Sequence, residues 1–216
     1  MSKSYTPRSV REVARRVIRD IPDGACVNLG IGRPMEISNL LPPDKEIILQ
    51  SENGVVGMGP LAEDDDVDTE LVNAGKQFVT LVPGGSIVHH ADSFAMIRGG
   101  HIDICVLGAF QVSVRGDLAN WRTRDRDAIP AVGGAMDLAR GAKQVFVMME
   151  HTTRKGESKL VEQCSYPLTG AGVVDRIYTD LATLAVTQDG LVVIDRVAGL
   201  THQELEEISK VRLLQS

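Results

Sequence analysis

Short apolar segments alternate with helical patterns along the first two thirds of the chain. Residues 8–20 place Val10, Val13 and Val17 at three- and four-residue spacing, which predicts an amphipathic helix. Five later apolar runs are typical of buried parallel strands, and they cover residues 25–29, 46–50, 78–82, 103–108 and 144–149. Helical or mixed stretches fall near residues 34–41, 91–98 and 134–141. The alternation predicts an α/β fold, with a mostly parallel sheet covered by helices.

The last third of the chain follows a different pattern. Short runs at 173–178, 183–187 and 191–195 are separated by small turns, which predicts a more antiparallel edge near the C-terminus. A capping box that joins Thr201 and Glu204 predicts a closing helix. The sequence has no internal repeat and no linker rich in proline or serine. We therefore expect residues 1–216 to form a single domain.

Composition and charge exclude several classes of function. With 43% apolar and 24% charged residues, the 216-residue chain resembles an ordinary globular protein. A net charge of -6 argues against a nucleic-acid partner. No apolar run approaches the roughly 18–20 residues that span a bilayer, and the first seven residues lack the apolar core of a signal peptide. Cys26, Cys105 and Cys164 are few and widely spaced, as expected of free thiols in the reducing cytoplasm. We expect a cytoplasmic protein that does not bind membranes.

The segment Ser51-Glu52-Asn53-Gly54 stands out because it follows the apolar run at 46–50. In open α/β sheets, ligands bind in the crevice beyond the carboxyl ends of the strands. Glycines beside Glu52 would let a ligand approach the backbone closely. From the residues alone, Glu52 could be a base, a metal ligand or a nucleophile.

Other motifs are less specific. The pair Gly30 and Gly32 lacks the third glycine of a dinucleotide fingerprint, and no P-loop is present, so neither NAD nor ATP is indicated. His89 and His90 are adjacent and would point in different directions, and no second ligand cluster accompanies them, so we expect no metal. A substrate-contacting or structural histidine pair fits better.

The glycine pair Gly133-Gly134 precedes a predicted helix. Backbone N–H groups at the start of a helix can hold an oxyanion. A tight turn that caps the helix explains the same two glycines, and the residues alone leave both interpretations open.

Taken together, these motifs resemble the β subunit of the family I coenzyme A transferases. The matching segments run in order over roughly residues 8–195, and they lie at 27–32, 50–54, 71–76, 93–101, 116–121, 133–138 and 167–170. The Ser-Glu-Asn-Gly segment is the signature of that family. So many ordered matches make the resemblance specific.

The resemblance implies a ping-pong reaction in which Glu52 is the covalent nucleophile and carries CoA as a thioester. The CoA thioester is then a substrate, and no separate cofactor is implied. A backbone amide in the Gly133-Gly134 segment would stabilise the oxyanion, and Gly133 is favoured over Gly134. We also assign Asn53, Gly54 and Gly134 to substrate binding.

The resemblance further implies an α subunit that supplies the rest of the oxyanion hole, so that the chain is inactive alone and assembles as α2β2. The stretches 89–93 and 124–130 look closer to 3-oxoadipate CoA-transferases of aromatic degradation than to acetoacetate-specific relatives. Succinyl-CoA is the implied donor, and 3-oxoadipate is favoured over acetoacetate as acceptor. The far carboxylate of a dicarboxylic acid needs a cationic or hydrogen-bonding partner, and His89, His90 and Arg98 are the candidates.

Two other functions compete with transfer. Water could open the same acyl-glutamyl intermediate, which would make the protein part of an acyl-CoA hydrolase. A non-catalytic CoA-binding subunit could share the fold, but the intact Ser51-Glu52-Asn53-Gly54 segment disfavours that role.

Overall fold

The computed structural model describes residues 5–123, 129–130 and 133–215, and Asp64 by its backbone only. Within them the helices are α1 (Val10–Asp20), α2 (His90–Arg98), α3 (Ala135–Gly141) and α4 (His202–Ser209), with short 3-10 helices at Arg33–Leu40 and Asp64–Asp66. The strands of the first half are β1 (Ala25–Leu29), β2 (Ile47–Ser51), β3 (Val55–Leu61), β4 (Val79–Ile87), β5 (Ile104–Leu107), β6 (Gln111–Ser113) and β7 (Leu118–Ala119). Those of the second half are β8 (Gln144–Met149), β9 (Leu160–Val161), β10 (Arg176–Thr179), β11 (Ala182–Thr187), β12 (Gly190–Arg196) and β13 (Leu213–Gln215).

The main sheet has a parallel centre and antiparallel flanks. Its strand order is β13-β12-β11-β10-β8-β5-β1-β2-β3-β4, and β2, β1, β5, β8 and β10 run parallel to one another. On the C-terminal side, β10, β11 and β12 pair antiparallel. The predicted α/β class and the antiparallel C-terminal edge are therefore confirmed. A small second sheet joins β7, β6 and β9.

For one predicted strand, both the direction of pairing and the burial are wrong. The run at 78–82 was expected to be a buried parallel strand, but it belongs to β4, which pairs antiparallel with β3 at the other edge of the sheet. Most of β4 is exposed. A short apolar run has the same sequence pattern in a central strand and in an edge hairpin, so its partner decides between them. The stretch near 34–41, which was predicted to be helical or mixed, forms the 3-10 helix Arg33–Leu40.

Helices cover both faces of the parallel centre. Consecutive residues of β5 and β8 point to opposite sides, so that Val106 and Phe146 enter one apolar cluster while Cys105 and Val147 enter the other. The first cluster is closed by α1, and the second by side chains of α2, α3 and α4. Burial on both faces explains why these strands are continuous apolar runs. It also holds the carboxyl ends of the strands rigidly at one edge.

His151 follows β8 and is fully buried. Its Nδ1 lies 3.0 Å from Thr179 Oγ1 and its Nε2 lies 2.8 Å from Ser209 Oγ, which ties β8 to β10 and α4. Burial lowers the pKa of His151 to about 4 and outweighs the attraction of Asp180. The folded protein therefore holds this imidazole in its neutral form.

This buried imidazole predicts a loss of stability in acid. Unfolded His151 takes up a proton near its ordinary pKa of 6.5, whereas the folded protein does not do so until about 4. Stability should therefore fall as the pH drops through that window, by about 3 kcal/mol in total. Urea unfolding of the wild type and of His151→Gln at several pH values measures the difference. An equal pH dependence in the two proteins would contradict the prediction, and His101→Gln, which removes an exposed histidine, is the control.

Candidate active site

A cavity of about 390 Å³ opens where the parallel strands end. Residues at the ends of β1, β5 and β8 or just after them form most of its wall, and Glu52 and the Gly133-Gly134 segment close it. The lining includes Gly30, Ile31, Arg33, Glu52, Leu107, Gly108, Phe110, Asn120, Gly133, Gly134, Met149, Glu150 and Lys159. This is the crevice in which α/β sheets bind their ligands, so the predicted position of Glu52 agrees with the structure.

The turn that carries Glu52 is a tight hairpin between β2 and β3. Ser51 pairs with Val55, which leaves three residues in the loop. Gly54 has a φ of +117° and a Cβ there would lie 2.3 Å from the carbonyl oxygen of Val88, so only glycine fits. The Gly54 amide donates to Ser51 O at 2.9 Å and the Val88 amide donates to Gly54 O at 2.8 Å. These bonds hold the Glu52 backbone in one conformation.

A second loop supports the same turn. Asn53 Nδ2 donates to the carbonyl oxygen of Val72 at 2.7 Å, and the Ala74 amide donates to Ser51 Oγ at 2.9 Å. Asn53 and Gly54 therefore shape the turn and are not among the residues that line the cavity. Their assignment to substrate binding remains a prediction.

Burial raises the pKa of Glu52 above the ordinary glutamate value, although a hydrogen bond from Asn28, its own amide and the charge of His90 oppose this effect. Asn28 is fully buried in β1, and its Nδ2 donates to Gln50 Oε1 at 2.6 Å. Gln50 Nε2 in turn donates to Ser93 Oγ at 2.6 Å. Desolvation with a few directed donors is typical of a functional carboxylate.

Asn28 is a site residue that the sequence reasoning did not identify. The available signal was a polar amide inside the apolar run of β1, where a buried amide requires hydrogen-bond partners. The partners come from β2 and α2, so their arrangement became visible only in the folded chain.

The glycine pair lies directly against Glu52. Gly134 is the N-cap of α3, and a Cβ added there would lie 3.4 Å from Glu52 Oε1 and 3.1 Å from Phe94 Cζ. Gly133 has a φ of +49° and also lines the cavity. The structure thus brings Glu52, Gly133 and Gly134 together. The choice of Gly133 over Gly134 as oxyanion donor remains a prediction.

The candidate partners of the far carboxylate lie at the start of α2, His89 and His90, and at its end, Arg98. None of the three is among the cavity-lining residues. His89 Nδ1 caps the helix by accepting from the Ala91 amide at 3.2 Å. The His90 ring lies 4.8 Å from that of Phe94, and its charge acts on Glu52. Arg98 is exposed and binds Asp137 at 2.7 Å. Their role in substrate binding remains a prediction.

Three charged residues of the cavity were not among the predicted site residues. Arg33 and Glu150 form an ion pair, and Lys159 Nζ donates to the carbonyl oxygen of Ala109 at 3.1 Å. Arg33 follows β1, Glu150 follows β8 and Lys159 precedes β9, so these residues lie far apart in sequence. No local motif connects them.

Other kinds of site find no support in the part of the chain that the structure describes. None of its His, Cys, Asp and Glu side chains gather in groups of three or more that could hold a metal ion. Among the described helices, none is long and apolar enough to cross a membrane. Of the stretch 124–130, which resembles the 3-oxoadipate enzymes, only residues 129 and 130 lie within the described part.

The burial of Glu52 should lower the stability of the fold, although the proposed reaction needs this carboxylate. Because its pKa is raised in the folded state, the folded protein binds the proton more tightly than the unfolded chain, and the charged form destabilises the fold above that pKa. We expect Glu52→Gln to raise the melting temperature at pH 7–8, where about 2–4 °C corresponds to 1 kcal/mol. The difference in melting temperature should shrink as the pH falls towards the pKa of glutamate side chains. Thermal unfolding checks this, and Glu157→Gln, at an exposed glutamate, is the control. A lower melting temperature for Glu52→Gln at neutral pH would contradict the prediction.

Comparisons with known proteins give a consistent picture. The family model described as Coenzyme A transferase matches residues 10–203. The B subunit of 3-oxoadipate CoA-transferase from Pseudomonas putida is 61% identical over 94% of this chain and 95% of the relative. The B subunit of succinyl-CoA:3-ketoacid coenzyme A transferase from Helicobacter pylori is 45% identical over 90% of this chain and 93% of the relative.

Solved structures share the fold. An acyl-CoA transferase of Escherichia coli O157:H7 superposes with a TM-score of 0.76 at 19% identity, over 97% of this chain. This chain spans only 42% of that longer protein. Glutaconate coenzyme A-transferase of Acidaminococcus fermentans superposes with a TM-score of 0.67 at 16% identity, over 98% of this chain and 90% of the other. At these identities the likeness is one of fold alone.

Proposed function

Because the chain belongs to the coenzyme A transferase family, we propose that it is the β subunit of an enzyme that moves CoA from succinyl-CoA to a 3-oxo acid. The observation that carries this proposal is the desolvated carboxylate of Glu52 in a cavity at the carboxyl ends of the strands. 3-Oxoadipate is the favoured acceptor and acetoacetate the next. The P. putida relative at 61% identity is named for 3-oxoadipate, and the H. pylori relative at 45% is named for a 3-ketoacid, the class to which acetoacetate belongs.

Glu52 acts as a nucleophile in this proposal. One Oε attacks the thioester carbonyl carbon of the acyl-CoA, the carbon–sulfur bond breaks, and a mixed anhydride and CoA thiolate form. The thiolate then attacks the Glu52 carbonyl, which releases the first acid and leaves CoA on Glu52 as a thioester. The acceptor carboxylate reverses these steps and leaves as the new acyl-CoA. The chemistry needs no resident cofactor, since every reacting group arrives with a substrate or belongs to Glu52.

The environment of Glu52 suits a weak nucleophile. A carboxylate in water is well solvated and attacks poorly, whereas burial removes part of that solvation. The nearby Asn28 side chain favours the charged carboxylate and so opposes part of the effect of burial on the pKa of Glu52. Backbone N–H groups of the Gly133-Gly134 segment, which lies beside Glu52, are candidates to stabilise the developing oxyanion. Exclusion of water matters because hydrolysis of either intermediate would end the transfer.

The site is half of a larger one in this proposal. Ile31 and Phe110 line the cavity and remain 65% and 39% exposed, which is typical of apolar side chains that a partner covers. Relatives that are named as B subunits support an α subunit as that partner. We propose that it completes the oxyanion hole in an α2β2 assembly, and that this chain is inactive alone. The three free cysteines support a cytoplasmic location.

Intact-mass analysis tests the proposal. The chain, purified with its α partner, is incubated with succinyl-CoA and no acceptor. We expect this subunit to gain the mass of CoA less one water, and to lose it when 3-oxoadipate or acetoacetate is added, with formation of the matching acyl-CoA. An active complex that never carries CoA on this subunit would contradict the mechanism. Loss of the adduct to free CoA without an acceptor would favour the hydrolase.

A further inference from the structure

The cavity contains a cationic group in addition to Glu52. Arg33 stands at the start of the 3-10 helix after β1, and Lys159 stands immediately before β9. Glu150, which follows β8, pairs with Arg33, and all three side chains line the same cavity as Glu52. Two positive charges and one negative charge leave this group, which we call the Arg33-Lys159 site, with a net charge of +1.

Lys159 is half-buried, and its ammonium group has few hydrogen-bond partners in the described part of the chain. An ammonium has three N–H donors. Within the described part of the chain, Lys159 Nζ makes one hydrogen bond, to Ala109 O at 3.1 Å. Burial lowers the pKa of Lys159, and the charge of Glu150 only partly offsets this. A desolvated ammonium bound to one neutral carbonyl is stabilised when an anion enters the cavity.

The Arg33–Glu150 pair is able to exchange partners. The two side chains are 39% and 45% exposed, so water already competes for the pair and it contributes little stability. Glu150 can turn to solvent when a second carboxylate approaches Arg33. A guanidinium binds a carboxylate through two parallel N–H donors, which also fixes the orientation of the ligand.

We propose that the Arg33-Lys159 site binds the free carboxylate of a dicarboxylic acyl group, while the thioester carbonyl of the same group meets Glu52. The inference rests on the proposed function and specifies the substrate class. A cavity of about 390 Å³ is within the usual range for small-molecule sites. Arg33 and Lys159 line the cavity and can therefore bind the far carboxylate of the substrate. The candidates predicted from the sequence for this role, His89, His90 and Arg98, are not among the lining residues.

Two donors of equal chain length test the inference. Succinyl-CoA and acetoacetyl-CoA both carry a four-carbon acyl group, but only succinyl-CoA has a free carboxylate. The measured quantity is the ratio of their rates of CoA-adduct formation on this subunit, in the complex with the α partner. Lys159→Met and Arg33→Gln each remove one charge at nearly constant length. Lys155→Met removes one charge from the exposed part of the same loop and is the matched control.

We expect the succinyl-to-acetoacetyl ratio to fall about 10- to 100-fold in Lys159→Met and in Arg33→Gln, the range for a lost charge-assisted hydrogen bond. The ratio should stay within about twofold of wild type in Lys155→Met. An unchanged ratio, or equal losses with both donors, would overturn the inference while adduct formation by the wild type still supports the proposed function. If Lys159→Met does not assemble, Arg33→Gln decides the question. Absence of any adduct in an active wild-type complex would instead refute the proposed function, and this inference with it.

Discussion

Replacing Glu52 with alanine is expected to abolish CoA transfer, with a loss of at least about 10⁴-fold in kcat. In the proposed mechanism the reaction passes through anhydride and thioester intermediates on this carboxylate. The other carboxylate that lines the cavity, Glu150, is paired with Arg33. Glutamine occupies the same volume without the nucleophilic oxygen pair, so Glu52→Gln should be equally inactive. The measurement is steady-state transfer from succinyl-CoA, together with the mass of the subunit.

Glu52→Asp separates the position of the carboxylate from its presence. Aspartate withdraws the nucleophile by one methylene while the hairpin backbone stays in place, and misplacement of this size costs about 10²-fold. Intermediate activity in Glu52→Asp and none in Glu52→Gln is the expected pattern. A Glu52→Ala complex that folds, assembles and still transfers CoA at the wild-type rate would refute the assignment of Glu52 as the nucleophile.

Adding a methyl group at Gly134 is expected to be the second largest perturbation, with a loss of about 10²- to 10³-fold in kcat, comparable to removing one oxyanion donor. The new Cβ would lie 3.4 Å from Glu52 Oε1 and 3.1 Å from Phe94 Cζ. In the proposed mechanism the acyl carbonyl enters this space. Gly134 has a φ of −84°, which alanine adopts without strain, so the fold should survive. Single-turnover adduct formation from succinyl-CoA measures the effect.

Two comparisons locate the cause of that loss. Gly108→Ala also adds a methyl group to the cavity wall, but nothing lies within 4 Å of its Cβ, so it should cost far less activity. Phe94→Leu combined with Gly134→Ala relieves the ring contact and leaves the contact with Glu52. Activity that returns fully in the double variant would show that Gly134→Ala acts through a displaced Phe94 and not by crowding the nucleophile.

The sequence predicted the parts of the fold that depend on local patterns. The amphipathic spacing of α1 and the apolar runs of β1, β5 and β8 each report burial within one segment. The capping box of α4 reports local hydrogen bonds at the start of a helix. The error at β4 has the same origin, because an apolar run does not reveal whether its partner runs parallel or antiparallel. Strand order depends on contacts between distant segments, which no local window contains.

For the candidate site, the sequence alone determined that Glu52 stands at a strand end in a glycine turn, and the resemblance named a nucleophile there. Only the tertiary structure decided what surrounds it. Asn28 reaches Glu52 because β1 and β2 are adjacent in the sheet, and Gly134 reaches it because α3 begins beside α2. Arg33 and Lys159 are 126 positions apart, and they share a cavity because the chain brings the ends of β1 and β8 to one edge of the sheet. A reactive residue type and its turn are encoded locally, whereas desolvation, donors and counter-charges arise from the segments that folding places around it.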